Sequence, residues 1–369
     1  MDTEPDLATA PADAEMPDEL HPRHIAVRVA EIGAIIAVCA IAITALPGLG
    51  EVRARLEDAD PFWLAMLVLA ELASCGGYLL VFRSTFCPRM SWGLSYDISM
   101  AELAANALLP TGGAGGLALG VWALHQAGMS TAHIARRTVA FFLLTSAANF
   151  AAVVLVGLAM FAGILPNDAS AALTLGPAIV AASVMVFAWM SPRLLRTFGQ
   201  PLGRCDRQSW TGRARHALRD GLKATADGVD LTKALLRSRS FGVIAGSFAY
   251  MAFDIVALAC GFAAVGPVPP FGPLVMGYLI GQLGNVIPLP GGIGGTEAGL
   301  VGAYALFHVN VALATAAVLI YRLFQLVIPA LLGLPAFVLL RRKLADGQHR
   351  ADVCGPLAID ALEVVELPG

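Results

Sequence analysis

The sequence predicts an all-α, polytopic membrane protein built from two related halves, and three observations lead to this prediction. Apolar side chains make up 57% of the 369 residues, whereas charged ones make up only 14%, and the mean hydropathy is +0.71. The apolar residues lie in runs of about 20, the helical length that crosses a bilayer. A glycine-rich segment occurs twice. A soluble globular protein is excluded because it needs far more polar surface.

The chain divides into an acidic tail, a membrane domain and a second polar tail. Residues 1–24 carry no basic region followed by an apolar core, so we expect a disordered tail and not a cleavable signal peptide. The membrane domain is predicted over 25–344, and the C-terminal tail over 345–369. Uninterrupted spans are predicted at 29–46, 61–82, 138–163, 171–190, 241–265 and 311–340. Two further apolar stretches, 96–124 and 271–307, are interrupted by proline and glycine.

Basic residues are concentrated in a few loops. Segment 191–240 carries eleven Lys and Arg, whereas segments 164–170 and 266–270 carry none. The positive-inside rule then puts the basic loops and both termini on the cytoplasmic side of the cell membrane. Segment 47–60 fits this orientation least well. Within 191–240 an apolar face suggests a helix on the inner membrane surface, with a solvated connector as the alternative.

The repeat is the most informative pattern in the chain. Residues 106–116 read NALLPTGGAGG and residues 285–295 read NVIPLPGGIGG, so an Asn and four Gly recur at a constant spacing of 179. Proline and clustered glycine interrupt helices, and backbone groups freed inside a bilayer must be buried in protein or line a wet cavity. We therefore predict two re-entrant or broken-helix hairpins. Their candidate substrate-path residues are Asn106, Pro110, Gly112, Gly113, Asn285, Pro288, Pro290, Gly291, Gly292 and Gly294. Glycine for close helix packing is the alternative interpretation.

Three full spans separate the two breaks, so the hairpins are predicted to enter from opposite sides. This is an inverted-topology repeat over 61–163 and 241–340. Secondary transporters use that plan, with the substrate site where the repeats meet.

Four ionisable residues lie inside apolar runs, where a charge costs at least about 2.5–3.5 kcal/mol. Arg322 is predicted to hold an anionic group, either Glu297 or a lipid phosphate. Glu71 and Asp254 are candidate coupling or pairing acids, at roughly matching positions before the two breaks. Helix capping is the alternative role for both asparagines, and a favourable position at a helix start is the alternative for Glu297. Tyr321 is predicted to be an interfacial or a packing residue, and packing is favoured.

The segment PLPGGIGGTE at 288–297, together with LPTGG at 109–113 and the Tyr321-Arg322 pair, resembles the lysylphosphatidylglycerol synthase transmembrane-domain family of flippase-like proteins. The resemblance covers about 30–340. In fused members this domain moves an aminoacylated phospholipid that a soluble aminoacyl-transferase domain makes. We expect no transferase domain here, so the resemblance implies a stand-alone flippase-like module and a separate lipid-synthesising enzyme. It maps onto the second motif, Glu297 and Arg322. Thr111 stands where the second motif has Pro290.

The leading functional hypothesis is therefore translocation of a phospholipid or a lipid-linked anion. A membrane-embedded transferase is the first alternative, although its one DxD-type pair, Asp58 and Asp60, is more simply a solvated loop before a helix. The remaining alternatives are a small-solute transporter and a scaffold for envelope-lipid synthesis.

The sequence has no ATP-binding P-loop and no catalytic or metal-binding spacing. We accordingly expect no cofactor, metal, enzymatic activity or nucleic-acid partner.

Overall fold

The computed structural model describes residue 33 and residues 49–109, 114–199, 210–238, 240–286 and 294–345. The predicted span at 29–46, apart from Gly33, lies outside these ranges, as do residues 1–24 and 346–369.

In the described ranges every regular element is helical. The helices are α1 (Gly50–Glu57), α2 (Pro61–Phe86), α3 (Trp92–Leu108), α4 (Ala114–Gln126), α5 (Thr131–Phe161), α6 (Ala171–Gly199), α7 (Trp210–Arg237), α8 (Phe241–Val265), α9 (Phe271–Gly281), a 3₁₀ turn (Gln282–Val286), α10 (Gly295–Leu306) and α11 (Val311–Ala345).

Within the described residues, five helices are long and apolar enough to cross a membrane: α2, α5, α6 as far as Pro192, α8 and α11. They coincide with the predicted spans that begin at 61, 138, 171, 241 and 311. The prediction of an all-α, polytopic membrane protein is confirmed. The two interrupted stretches form the shorter pairs α3–α4 and α9–α10, which are broken around the two glycine-rich segments.

Helix α5 begins seven residues earlier than predicted. The Ser130 hydroxyl accepts a hydrogen bond from the His133 backbone N–H at 3.4 Å and so caps the helix at this point. Arg136 and Arg137, which precede the predicted start of this span at 138, therefore lie in the first two turns. Arg137 donates to the Thr85 carbonyl in the last turn of α2. Hydropathy alone misplaced this boundary because a helix end can carry basic side chains that cap a neighbouring helix.

Segment 191–240 contains the helix α7, which packs against α5 and α6. Ala226 and Val229 of its predicted apolar face are buried. A Cβ added at Gly228 would lie 2.6 Å from the Val139 side chain of α5. This part of the apolar face is therefore covered by protein.

Helices α2 and α8 cross at the centre of the molecule. A Cβ at Gly77 would lie 2.5 Å from the Tyr250 backbone nitrogen, and a Cβ at Gly246 would lie 2.5 Å from the Val81 backbone nitrogen. Each helix thus supplies one glycine that lets the other backbone approach, as small residues do in membrane helix pairs. Around this crossing α3 packs along α11, and α9 packs against α5.

Two hydrophobic cores flank the crossing. One is formed by α8 to α11 together with the first turns of α2. The other is formed by α3, α4, the start of α5, the end of α2 and the end of α11. Since α2 and α11 each contribute to both cores, the two halves are joined through these helices.

Candidate functional site

A cavity of about 380 Å³ lies where the two halves meet. Its wall includes Glu71 and Ser74 of α2, Asn106 of α3 and Asn149 of α5. From the second half it includes Tyr250 and Asp254 of α8, Tyr278 of α9, Gln282 of the 3₁₀ turn, and Arg322 and Gln325 of α11. So many polar groups inside apolar helices need one another or a ligand, because lipid cannot satisfy them.

Asp254 is held by three hydrogen-bond donors. Tyr321 donates to its Oδ1 at 2.8 Å, and Tyr278 donates to its Oδ2. The Gln325 amide lies 3.2 Å from both oxygens. Both oxygens of the Asp254 carboxyl group are therefore hydrogen-bonded to side chains of α9 and α11.

Arg322 joins this network to the second break. Its Nε donates to Glu297 Oε1 at 3.0 Å, and its Nη1 donates to the Gln325 side-chain oxygen. The other carboxylate oxygen of Glu297 accepts from the Gly294 backbone N–H at 2.6 Å, just before α10 begins. Of the two groups predicted to face Arg322, the structure pairs it with Glu297. Glu297 also lies in the first turn of α10, where the helix dipole favours an acid, so the alternative interpretation of this residue holds as well.

Glu71 differs from Asp254 in its hydrogen bonding. The residue is 4% exposed and lines the same cavity. Its Oε2 is buried and has no hydrogen-bond partner in the described part of the chain. The two acids predicted as a matching pair are thus brought to one cavity, yet only Asp254 is surrounded by donors.

Asn106 spans the first break. Its Oδ1 accepts from the Gly116 backbone N–H at 3.0 Å, which links the end of α3 to the start of α4. This contact is the helix-capping role that is the alternative interpretation of Asn106. Glu102, one turn earlier, accepts a hydrogen bond of 2.9 Å from the Tyr78 hydroxyl of α2. Both contacts hold the broken α3–α4 pair in place.

Glycines in and beside the repeat also serve close packing. A Cβ at Gly116 would lie 2.5 Å from the Glu102 carbonyl oxygen, and one at Gly299 would lie 2.5 Å from the Gly281 carbonyl oxygen. Gly116 is the last residue of the first motif, whereas Gly299 lies four residues after the end of the second. The packing interpretation therefore holds for Gly116, and the same close packing occurs at Gly299 beside the second motif.

Several predicted site residues lie outside the described residues. They are Pro110, Gly112, Gly113, Pro288, Pro290, Gly291 and Gly292. Asn285 belongs to the 3₁₀ turn, but its side chain is outside the described part. The prediction that the loops of both breaks contact substrate stays a prediction.

Sequence reasoning missed the tyrosines of the site. Tyr250 and Tyr278 line the cavity, and Tyr321, assigned to packing, also binds Asp254. The chain has only six tyrosines. A phenol in an otherwise aliphatic span needs a polar partner, and this scarcity is the signal that could have identified them.

The DxD-type pair has a local explanation. Asp60 accepts a hydrogen bond from the Phe62 backbone N–H at 2.8 Å and caps α2. This is the role of a helix-start acid, as the simpler interpretation expects for Asp60.

Comparison of the sequence with known proteins finds similar membrane proteins. A UPF0104 membrane protein from Methanothermobacter thermautotrophicus is 36% identical over 93 residues, which is 25% of this chain and 26% of that protein. The matched region therefore spans about a quarter of the curated relative. The family model described as the lysylphosphatidylglycerol synthase TM region matches residues 29–333. The resemblance read from the second glycine motif is confirmed, and the chain belongs to this membrane-protein family.

Proposed function

We propose that the protein moves a polar lipid across the bilayer, with the headgroup passing through the central cavity and the acyl chains staying in the membrane. The polar cavity shared by both halves is the observation that carries the proposal. A hydrated headgroup needs polar partners throughout its crossing. The cavity side chains supply these partners within the membrane-spanning helices, where lipid offers none.

The packing of the helices supports an inverted repeat. The first arm of each broken pair packs on the last span of the other half, since α3 contacts α11 and α9 contacts α5. In the first half Tyr78 of the span donates to Glu102 of the arm, whereas in the second half Tyr278 of the arm donates to Asp254 of the span. Exchanged arms of this kind create a shared site at the interface, as in transporters built from two repeats.

The charges favour a headgroup that carries a positive group. Glu71 and Asp254 line the cavity against one guanidinium, that of Arg322, and Arg322 is already bound to Glu297. A positive group entering the cavity can therefore take Glu71 and Asp254 as partners, whereas an anion finds only a guanidinium that is already paired. We therefore revise the expectation of a lipid-linked anion toward a zwitterionic or amine-bearing phospholipid.

The volume favours a headgroup over a whole lipid. At about 380 Å³ the cavity is near the lower end of small-molecule pockets, which run from about 300 to 1,000 Å³. The same volume suits a free cationic solute, which makes a small-solute transporter the second candidate. In the lipid case a separate lipid-synthesising enzyme would supply the substrate at the cytoplasmic face.

The proposal is tested by lipid movement in proteoliposomes. Phospholipids with labelled headgroups, either amine-bearing or purely anionic, are compared in wild type and Asp254→Asn. Asp168→Asn makes the same change on an exposed loop and is the matched control. We expect faster exchange of the amine-bearing lipid in wild type, its loss in Asp254→Asn and its retention in the control. Uptake of a free amine without lipid exchange would favour the solute transporter instead.

A further inference from the structure

The Glu71 carboxyl is the one buried acid of the central cavity whose hydrogen bonding is incomplete among the described residues. Glu71 is 4% exposed, and its Oε2 has no partner there. An ionised carboxylate buried without donors is costly, so the group takes up a proton, a cation or a donor from a ligand. It faces the cavity, where each of these could reach it.

The titratable and charged groups around Glu71 come from four helices. Cys75 lies on α2, Tyr250 and Asp254 on α8, Tyr278 on α9, and Arg322 on α11. Asp254 is a second acid, and its two oxygens already contact three donors. Arg322 is bound to Glu297 and Gln325. The surroundings therefore leave Glu71 beside an acid that is already satisfied, and the favourable partner for its free oxygen is a proton.

We propose that Glu71 is the proton-binding site of this cavity and that proton binding there competes with the substrate's positively charged group. A proton from water on one side binds the carboxylate and forms the neutral acid. When the substrate's ammonium group enters, the proton leaves to water and the carboxylate becomes the partner of that ammonium. Because one carboxyl group serves both, inward proton movement drives outward movement of the substrate.

The proton site itself can be tested without transport. Infrared difference spectra of the reconstituted protein between low and high pH report the C=O stretch of a protonated carboxyl group. We expect a band that disappears as pH rises, is missing in Glu71→Gln and is retained in Glu71→Asp. The matched control is Glu102→Gln, which should keep the Glu71 band. Glu102 is also buried, but it is bound to Tyr78. Helical content by circular dichroism confirms that each variant is folded.

The outcomes separate the alternatives. Identical titrating bands in wild type and Glu71→Gln would overturn the proposal. Loss of the band on adding sodium at constant pH would show that a metal cation displaces the proton, which would overturn the proton as the coupling ion. The competition rests on the proposed function and is tested by imposing a pH gradient on proteoliposomes. Wild type should respond to the gradient and Glu71→Gln should not, and equal responses would overturn the coupling. If no lipid moves at all, the proposed function fails while the infrared result still decides the proton site.

Discussion

At the scale of single residues, Arg322 decides whether the central network holds together. It lies eleven residues into α11, roughly 16 Å along the helix axis. It joins Glu297 at the start of α10 to Gln325, and Gln325 contacts Asp254. A cation at this depth is tolerated only with such partners, so each member of the network depends on the others.

We expect Arg322→Ala to lower the stability of the folded protein by about 3–5 kcal/mol, because removing one member of a buried pair leaves the other charge unpaired. Thermal unfolding in detergent, followed by intrinsic fluorescence, measures the effect. The double variant Arg322→Ala with Glu297→Gln removes both charges and should recover part of the loss. An equally large loss in the double variant would show that charge pairing is not the cause.

At the scale of helices, glycine determines how closely the central elements approach. Gly77 and Gly246 lie at the crossing of α2 and α8, and Gly116 and Gly299 lie between the arms of the broken pairs. At each position an added methyl group would meet backbone atoms of the neighbouring helix within 3 Å. Backbone cannot move aside as a side chain can, so these contacts set the helix spacing that encloses the cavity.

Gly77→Ala should destabilise the protein by about 1–3 kcal/mol, because it forces α2 and α8 apart. The neighbouring Gly76 has open space around its added Cβ. Gly76→Ala is therefore the matched control and should leave the unfolding temperature unchanged or raise it, since Ala favours helix over Gly. Thermal unfolding of both variants tests the prediction, and equal effects would contradict the close approach.

At the scale of the whole molecule, the two halves share helices and a cavity. The end of α11 packs into the core of the first half, and the start of α2 packs into the core of the second. Neither half could be removed without exposing the polar groups of the cavity. A path that opens alternately to the two sides follows if the broken pairs enter from opposite faces of the membrane.

Single reporter cysteines in a cysteine-free background test that orientation. We expect Asp168→Cys and Val268→Cys to react with an impermeant thiol reagent from outside intact cells. Arg89→Cys and Ser238→Cys should react only after the membrane is opened. All four positions are exposed in the structure, so accessibility to the reagent is set by the membrane side. Labelling of positions 89 and 268 from the same side would contradict the inverted repeat.

The sequence by itself determined the membrane class, the places of the five described spans, the two breaks and the family. These properties depend on local hydropathy and on the chemistry of proline and glycine, which a linear pattern carries. It also selected Glu71, Asp254, Glu297 and Arg322, because a charge inside an apolar run is conspicuous whatever surrounds it.

Only the tertiary structure decided which of these groups meet. Asp254 is surrounded by donors and Glu71 is not, and Arg322 is paired with Glu297. These differences depend on helices brought together from distant parts of the chain. In the sequence Tyr278 cannot be distinguished from an ordinary core aromatic. In the fold α9 packs beside α8, and the Tyr278 hydroxyl contacts Asp254. Our proposals for the substrate charge and the proton site rest on that packing, because burial and partner geometry decide what a charged group costs.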